Sequence, residues 1–303
     1  RGAGSAGIFE HIRAAGVRAF VFLGDSGSLP STLEQFPQTR RAAFRFISDF
    51  HSKVRQEPDL QALLRTTAIY GVWGEHDFGP VGAGKDFVFA KESLAAFQRF
   101  YPNPDWGTPQ VPGCFFTMTI GDADFFCLDA RSYRDGAAAA GAAAMPRSML
   151  GAGQLAWLKA GLLASKARFK IIAAGNPLLA AAGQEGSWAQ FQPEQADFLQ
   201  WVFAKHVTGV LFVSGGADAG ELSVRKGGAG EYPLVELSTS HLTDRPGEVA
   251  GANPLRVGEA VTENHFGLLE FGAQRANRFV TLRLKDGAGK SRVEQTVLAA
   301  QLQ

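Results

Sequence analysis

Four apolar runs in this sequence end in residues whose side chains could do chemistry. Asp25 follows one such run, Glu75, His76 and Asp77 a second, Asn176 a third, and Gly216, Ala217 and Asp218 a fourth. Carboxylate, imidazole and amide groups are the oxygen and nitrogen donors that a hard or borderline divalent cation needs. Each residue also has a plainer reading. Asp25 after glycine could cap a turn, and His76 between two acids could be a solvated loop residue. Asn176 before proline and Asp218 among small residues both suit turns. The constellation carries the argument. Ligands in sheets with parallel strands sit outside the carboxyl ends of those strands, so four such loops can share one site although they lie far apart in sequence.

The elements that must position these loops are legible from apolar periodicity. Residues 18–23, 66–73, 169–173 and 210–213 are continuous apolar runs, expected as strands covered on both faces. Residues 7–15 read as a short amphipathic helix with Ile8, Phe9 and Ile12 on one side. Residues 33–55, 153–165 and 193–206 also read as helices. A hairpin is expected from 115–120 and 123–128 around Gly121-Asp122, and later strands at 232–238 and 279–284. The run 136–144 is Ala/Gly-rich, and composition leaves it helical or mobile. Strand–helix alternation followed by hairpins predicts a mixed α/β sandwich in one domain over 1–303. His11, His51 and His206 fall on the predicted helices as surface or satisfied structural residues. His265 is expected to pack.

Composition narrows the function. Thirty Lys and Arg against 29 Asp and Glu give a net charge of +1, which excludes a broad basic nucleic-acid face or a polybasic membrane surface. Cys114 and Cys127 are expected as buried free thiols, with one disulfide as the alternative. No uncharged apolar stretch is long enough for a membrane-spanning helix. Dinucleotide and P-loop glycine fingerprints do not occur. Thirty-six glycines point to tight turns and close backbone approaches, and 24 Phe stand beside four Tyr.

The segments FVFLGDSGS, VWGEHDFGPVGAGKD, CLDARSYRD, MLGAGQLAWLKAGL, VLFVSGGADAGELS, YPLVELSTSHLT and NHFGLLEF follow one another in order. Their wording resembles the PhoD-like (alkaline phosphatase D) branch of the calcineurin-like metallophosphoesterases. The resemblance implies an α/β metallophosphoesterase sandwich and a phosphoric ester hydrolase. Such an enzyme uses two cations of the Ca, Fe, Mn or Zn class to clamp phosphoryl oxygens and generate the nucleophile. Carried over by position, Asp25 stands for the metal-bridging Asp, His76 for the catalytic His, and Asp77 for an acid that orients its ring. Asn176 stands for an amide ligand, and Arg131 and Arg134 for basic residues that could meet phosphate.

The departures from that pattern are equally specific. Ser28 replaces a Tyr, and Gly74-Glu75 replace an Asp-Asp pair, with Glu75 one methylene too long for the same pose. Gly216 replaces an Asp, and Asp218 replaces a His. The family's Phe-Gly-Ser-Cys segment does not occur, and the resemblance places it upstream of Arg1. Asp25, Glu75, Asn176 and Asp218 then leave a vestigial or single-metal donor set. The expectation is a degenerate, catalytically impaired phosphoesterase acting as a binding or structural subunit, holding no metal or one divalent metal. The alternative is an active metal-dependent phosphodiesterase or phosphomonoesterase with a remodelled site. Expected partners are a phosphate-ester ligand or a protein, within a larger assembly. The family resemblance points to an extracytoplasmic, periplasmic or secreted, location.

Overall fold

The computed structural model describes residues 7–136, 146–179, 186–217, 219–243, 247, 249, 253–274 and 277–303. Helix α1 (Ile8–Ala14) buries Ile8, Phe9 and Ile12 and leads into strand β1 (Ala19–Leu23). Helix α2 (Arg40–Val54) starts where Thr39 accepts a bond from the Ala42 amide, and it buries Ala43, Ile47, Ser48 and His51. The expected single helix over 33–55 is therefore corrected to a short 3-10 turn (Leu33–Gln35) followed by α2. Pro37 is the cause, because proline lacks an amide donor and bars the preceding residue from helical geometry. Helix α3 (Pro58–Leu64) opens on proline, which the first helical turn tolerates.

Strand β2 (Ala68–Val72) pairs in parallel with β1, Leu23 opposite Val72, as a two-stranded sheet. After the one-turn α4 (Glu75–Phe78) and α5 (Ala90–Phe97), the expected hairpin forms from β3 (Phe116–Ile120) and β4 (Ala123–Leu128). Helix α6 (Gly151–Ala164), β5 (Phe169–Ala174), α7 (Glu194–Ala204) and β6 (Val210–Ser214) follow. Strands β7 (Glu221–Arg225) and β8 (Leu234–Ser238) complete a six-stranded sheet of order β3-β4-β5-β6-β8-β7. Its central strands are parallel in register, with Leu128 opposite Ala174 and Ala174 opposite Ser214, so their carboxyl ends lie level. Strands β9 (His265–Gln274), β10 (Asn277–Asp286) and β11 (Ser291–Leu298) form an antiparallel three-stranded sheet. The architecture is the predicted mixed α/β arrangement, with sheets flanked by helices.

The core holds an aromatic group in which Trp73 packs edge-on against Phe78 and Phe97 at 5.0 and 5.4 Å. Cys114 and Cys127 are buried free thiols. No described helix is long and apolar enough to cross a membrane. The Ala/Gly run lies outside the described residues, apart from Gly136. Two expectations are corrected. Strand β1 is not covered on both faces: Phe22 alone of its five residues is buried, and among the described residues β1 has a strand neighbour on one edge only. His51 is neither surface-exposed nor satisfied: it is fully buried, and neither ring nitrogen has a hydrogen-bond partner among the described residues.

Candidate functional site

The strand ends converge as the parallel reading predicts. Asp25 after β1, Glu75 and His76 after β2, Asn176 after β5 and Gly215 to Ala217 after β6 all line one open cavity. The two sheets meet there backbone to backbone. Gly175, after β5, is so close to the end of β2 that a Cβ would overlap the Trp73 carbonyl oxygen. A Cβ on Gly215 would overlap the carbonyl oxygen of Leu23. Glycine permits this contact, and any larger residue forces the sheets apart. Gly215→Ala is expected to cost about 2 kcal/mol by overpacking, read as a lower urea midpoint at unchanged slope.

Asp25 itself sits at φ 50°, a left-handed conformation that Asp tolerates better than most residues. Its Oδ1 accepts the His76 amide at 2.8 Å. Burial raises its pKa above the ordinary value, against the lowering effect of that amide and of the His76 and Arg131 charges. Glu75 accepts from the Arg131 guanidinium at 2.9 Å and from the Gly82 amide at 2.9 Å. Burial pushes Glu75 upward, but Arg131 and the Gly82 amide outweigh it and hold the carboxyl below its usual range. His76 is half-buried in the cavity wall.

Asp77 does not orient the His76 ring, which corrects that expectation. Its carboxylate is buried and accepts from the Ser26 amide at 3.1 Å, the Ser26 hydroxyl at 2.7 Å and the Gly74 amide at 3.0 Å. It ties the first two loops together at the start of α4. Burial first, then the charge of Asp25, raises its pKa to about 6. Asp218 lies outside the described residues.

A basic wall faces these acids. Arg131 is buried, with Nε lacking a partner among the described residues. Arg134 bonds the Gly186 carbonyl at 3.3 Å and lies 4.7 Å over the Phe191 ring. Burial, then the like charge of Arg131, lowers the Arg134 pKa to about 10. Arg147 joins them, 4.6 Å from the same ring, with Nε also unpartnered among the described residues. Sequence reading missed Arg147, since only folding brings it beside Phe191. It also missed Asp129, a fully buried carboxylate at the end of β4. Asp129 accepts from Trp73 Nε1 at 2.7 Å, Cys114 N at 2.9 Å, Arg131 N at 2.9 Å and Ser132 N and Oγ at 2.9 and 2.7 Å. The signal was the Asp within CLDARSYRD, read there only as part of a matching segment. On the far side, Glu236 holds the Asn176 loop through the Leu178 and Leu179 amides at 2.7 and 2.8 Å.

Three guanidinium groups in a partly dry pocket, with N–H groups unpartnered among the described residues, have the charge and donor geometry that suit a phosphate or similar anion. A two-metal clamp fits this set poorly. Among the described residues, no three His, Cys, Asp or Glu side chains stand where they could hold a metal ion. Glu75 is tied to Arg131, and Asp77 to Ser26 and Gly74. A Cβ at Gly74 would overlap the Asp25 carboxylate, so an acid cannot stand there without displacing it. Among the described side chains, Asn176 Oδ1, buried without a partner there, and the Asp25 carboxylate remain as oxygen donors, while Asp218 lies outside the described residues. A hard cation takes about six or more.

Residues 2–219 match the family described as PhoD-like phosphatase. Among solved structures, PhoD superposes with a TM-score of 0.69 at 16% identity, over 96% of this chain and 65% of its own. Purple acid phosphatase PPD1 from yellow lupin (Lupinus luteus) seeds gives 0.64 at 15% identity, over 97% of this chain and 49% of its own. GAP50, the anchor in the inner membrane complex of Plasmodium, gives 0.56 at 13% identity, over 100% and 85%. The chain therefore spans less than two thirds of the first two. The likeness to them is one of fold, the metallophosphoesterase fold. No curated protein matches the chain in sequence.

Proposed function

We propose, from the premise that this chain belongs to the PhoD-like phosphatase family, that it binds phosphate esters while hydrolysing them poorly or not at all. The observation that carries this reading is the Arg131–Glu75 ion pair at 2.9 Å. It puts a fixed guanidinium against a carboxylate that the family resemblance assigns to metal binding. Arg131, Arg134 and Arg147 then serve as the anion-binding wall, and Asp25, His76 and Asn176 as the rim of the cleft. The protein acts as a binding or structural subunit outside the cytoplasm. GAP50, an anchor by its own title, is an instance of an assembly role on this fold.

The second reading is an active hydrolase with a remodelled, single-metal site. Asn176 Oδ1 favours it, as a buried acceptor without a partner among the described residues in the cavity that Asp25 also lines. In that reading Asp25 and Asn176 would hold the ion. A bound divalent ion supplies Lewis acidity and a more acidic water. His76 would protonate the leaving oxygen.

One pair of measurements separates the readings. Calorimetric titration with inorganic phosphate is expected to show binding that Arg134→Ala weakens about tenfold. Assays with p-nitrophenyl phosphate and bis-p-nitrophenyl phosphate are expected to show no metal-stimulated turnover with Mn²⁺, Ca²⁺ or Zn²⁺. Turnover of about 1 s⁻¹ or faster would establish the hydrolase instead. Loss of both phosphate binding and turnover would overturn both readings.

A further inference from the structure

We propose that Phe191 is the positioning residue of the basic wall: its ring holds the Arg134 and Arg147 guanidinium groups together without neutralising either, so that the wall selects a doubly charged terminal phosphate over a singly charged phosphodiester. The inference rests on the phosphate-binding reading and names the ligand charge which that reading leaves open. The two guanidinium groups lie 4.7 and 4.6 Å from the centroid of the one ring. At that range an aromatic face attracts a guanidinium, the more so where water is excluded. The two charges stand no farther apart than twice the ring distance, close enough for one phosphate group to meet both.

The ring is held by the turn that leads into α7. Phe191 is fully buried. Its amide donates to the Trp188 carbonyl at 2.9 Å, and its carbonyl accepts the Gln195 amide at 3.2 Å. Glu194, the first residue of α7, ties this turn to the segment that carries Arg147. Its carboxylate accepts from Trp188 Nε1 at 2.8 Å, from the Met149 and Leu150 amides at 3.0 and 3.2 Å, and from the Ser148 hydroxyl. Arg147 and Pro193 also pair as an isolated parallel bridge. Arg134 reaches the same turn through the Gly186 carbonyl at 3.3 Å. The ring and both guanidinium groups thus belong to one hydrogen-bonded unit.

The charge of this unit is left for a ligand to balance. Arg131 is paired with Glu75. Among the described residues neither Arg134 nor Arg147 forms an ion pair. Arg134 bonds a carbonyl, and Arg147 Nη2 donates to the Asp135 carbonyl at 3.2 Å. The Asp135 carboxylate itself is taken by Lys85 at 2.5 Å and the Ser148 amide at 2.7 Å. The charged groups that bear on Arg134 are Arg131, Glu75 and Arg147. One carboxylate against these three cations leaves two positive charges. Arg134 is buried and Arg147 half-buried, so water solvates them incompletely. A terminal phosphate carries close to two negative charges above its second pKa of about 6, and a phosphodiester carries one. The terminal group matches the wall, whereas a diester leaves one cation uncompensated.

An aromatic ring suits this task better than the alternatives. A carboxylate between Arg134 and Arg147 would hold them together but would cancel one charge. Leucine would fill the space and attract neither. The ring attracts cations through its quadrupole and adds no net charge. Position and charge are therefore set separately.

The test is calorimetric titration at about pH 8 with methyl phosphate, a dianion there, and dimethyl phosphate, a monoanion. The wild type is expected to bind methyl phosphate about tenfold or more tightly than dimethyl phosphate. Phe191→Leu is expected to lower that preference to about twofold, and so is Arg147→Met. Phe191→Met takes the place of Phe191→Leu if thermal unfolding shows the leucine variant unfolded. The preference is the informative readout, because a merely structural role for Phe191 would weaken both esters alike. Equal affinity of the wild type for the two esters, with inorganic phosphate still bound, would overturn the charge selection and leave the phosphate-binding reading standing. An unchanged preference in the folded Phe191 variant would overturn the role of the ring. Failure of the wild type to bind either ester or inorganic phosphate would overturn both proposals together.

Discussion

Replacing His51 with leucine is expected to stabilise the protein, and to do so more at pH 4 than at pH 7. His51 is enclosed by Phe50, Phe97, Phe100 and Tyr101, with ring centroids at 4.9, 5.3, 5.7 and 6.4 Å. Its two nitrogens lack partners among the described residues, and a buried polar atom without a partner costs about 1–3 kcal/mol. Leucine has nearly the same volume and no polar atoms. Burial, then the Arg55 charge, drives the imidazole pKa from 6.5 down to about 3. The unfolded chain therefore binds a proton below pH 6.5 that the folded chain refuses until about pH 3. Stability falls as pH drops through that window, by about 3 kcal/mol at pH 4. Asp77, raised to about 6, contributes with the opposite sign between 3.8 and 6, because there the folded state keeps a proton that the unfolded state releases. That contribution is common to both proteins and cancels in their difference. Urea unfolding of wild type and His51→Leu at pH 7 and pH 4 measures it. An equal gap at both pH values would remove the titrating-histidine account.

Asp129→Ala is expected to cost about 4 kcal/mol or more and to weaken phosphate binding. The carboxylate takes five hydrogen bonds, three from backbone amides, one from the Trp73 indole and one from the Ser132 hydroxyl. Each bond to a charged acceptor contributes about 1.5–3 kcal/mol, and removing the acceptor strands its donors away from water. The Arg131 amide is one of those donors, so the basic wall loses its anchor along with the core. Asp129→Asn keeps the shape and one acceptor oxygen but turns an NH₂ toward N–H groups. It should fall between wild type and alanine. Chemical unfolding and phosphate calorimetry on both variants check the order. A phosphate affinity unchanged in the folded Asn variant would separate Asp129 from the positioning of Arg131.

The sequence revealed the strand ends well and their bonding poorly. Periodicity located β2, β5 and β6 because buried parallel strands are unbroken apolar runs, and the glycines at their ends marked close approaches. Convergence of Asp25, His76 and Asn176 followed from parallel topology alone. The partners of those side chains did not. Whether Glu75 faces a cation or Arg131 depends on a rotamer and on a residue 56 positions away. Asp77 read as a helper of His76 because it is adjacent, yet a one-turn helix points the two side chains apart. Strand β9 escaped notice because its exposed second half carries Glu270, Gly272 and Gln274 in place of an apolar run. Arg147 gave no sign in the sequence, since its neighbours Arg134 and Phe191 meet it only through the fold.

The Arg131–Glu75 pair has a bearing on the protein's surroundings. A metal ion in a cleft is borrowed from the medium, and its occupancy rises and falls with supply, acidity and competing chelators. A guanidinium is bonded to the chain and stays protonated across the biological pH range. The positive charge that Arg131 sets against Glu75 is thus fixed when the polypeptide is synthesised. Under the proposed phosphate-binding reading, that pair keeps its charge in compartments whose free cation content differs widely.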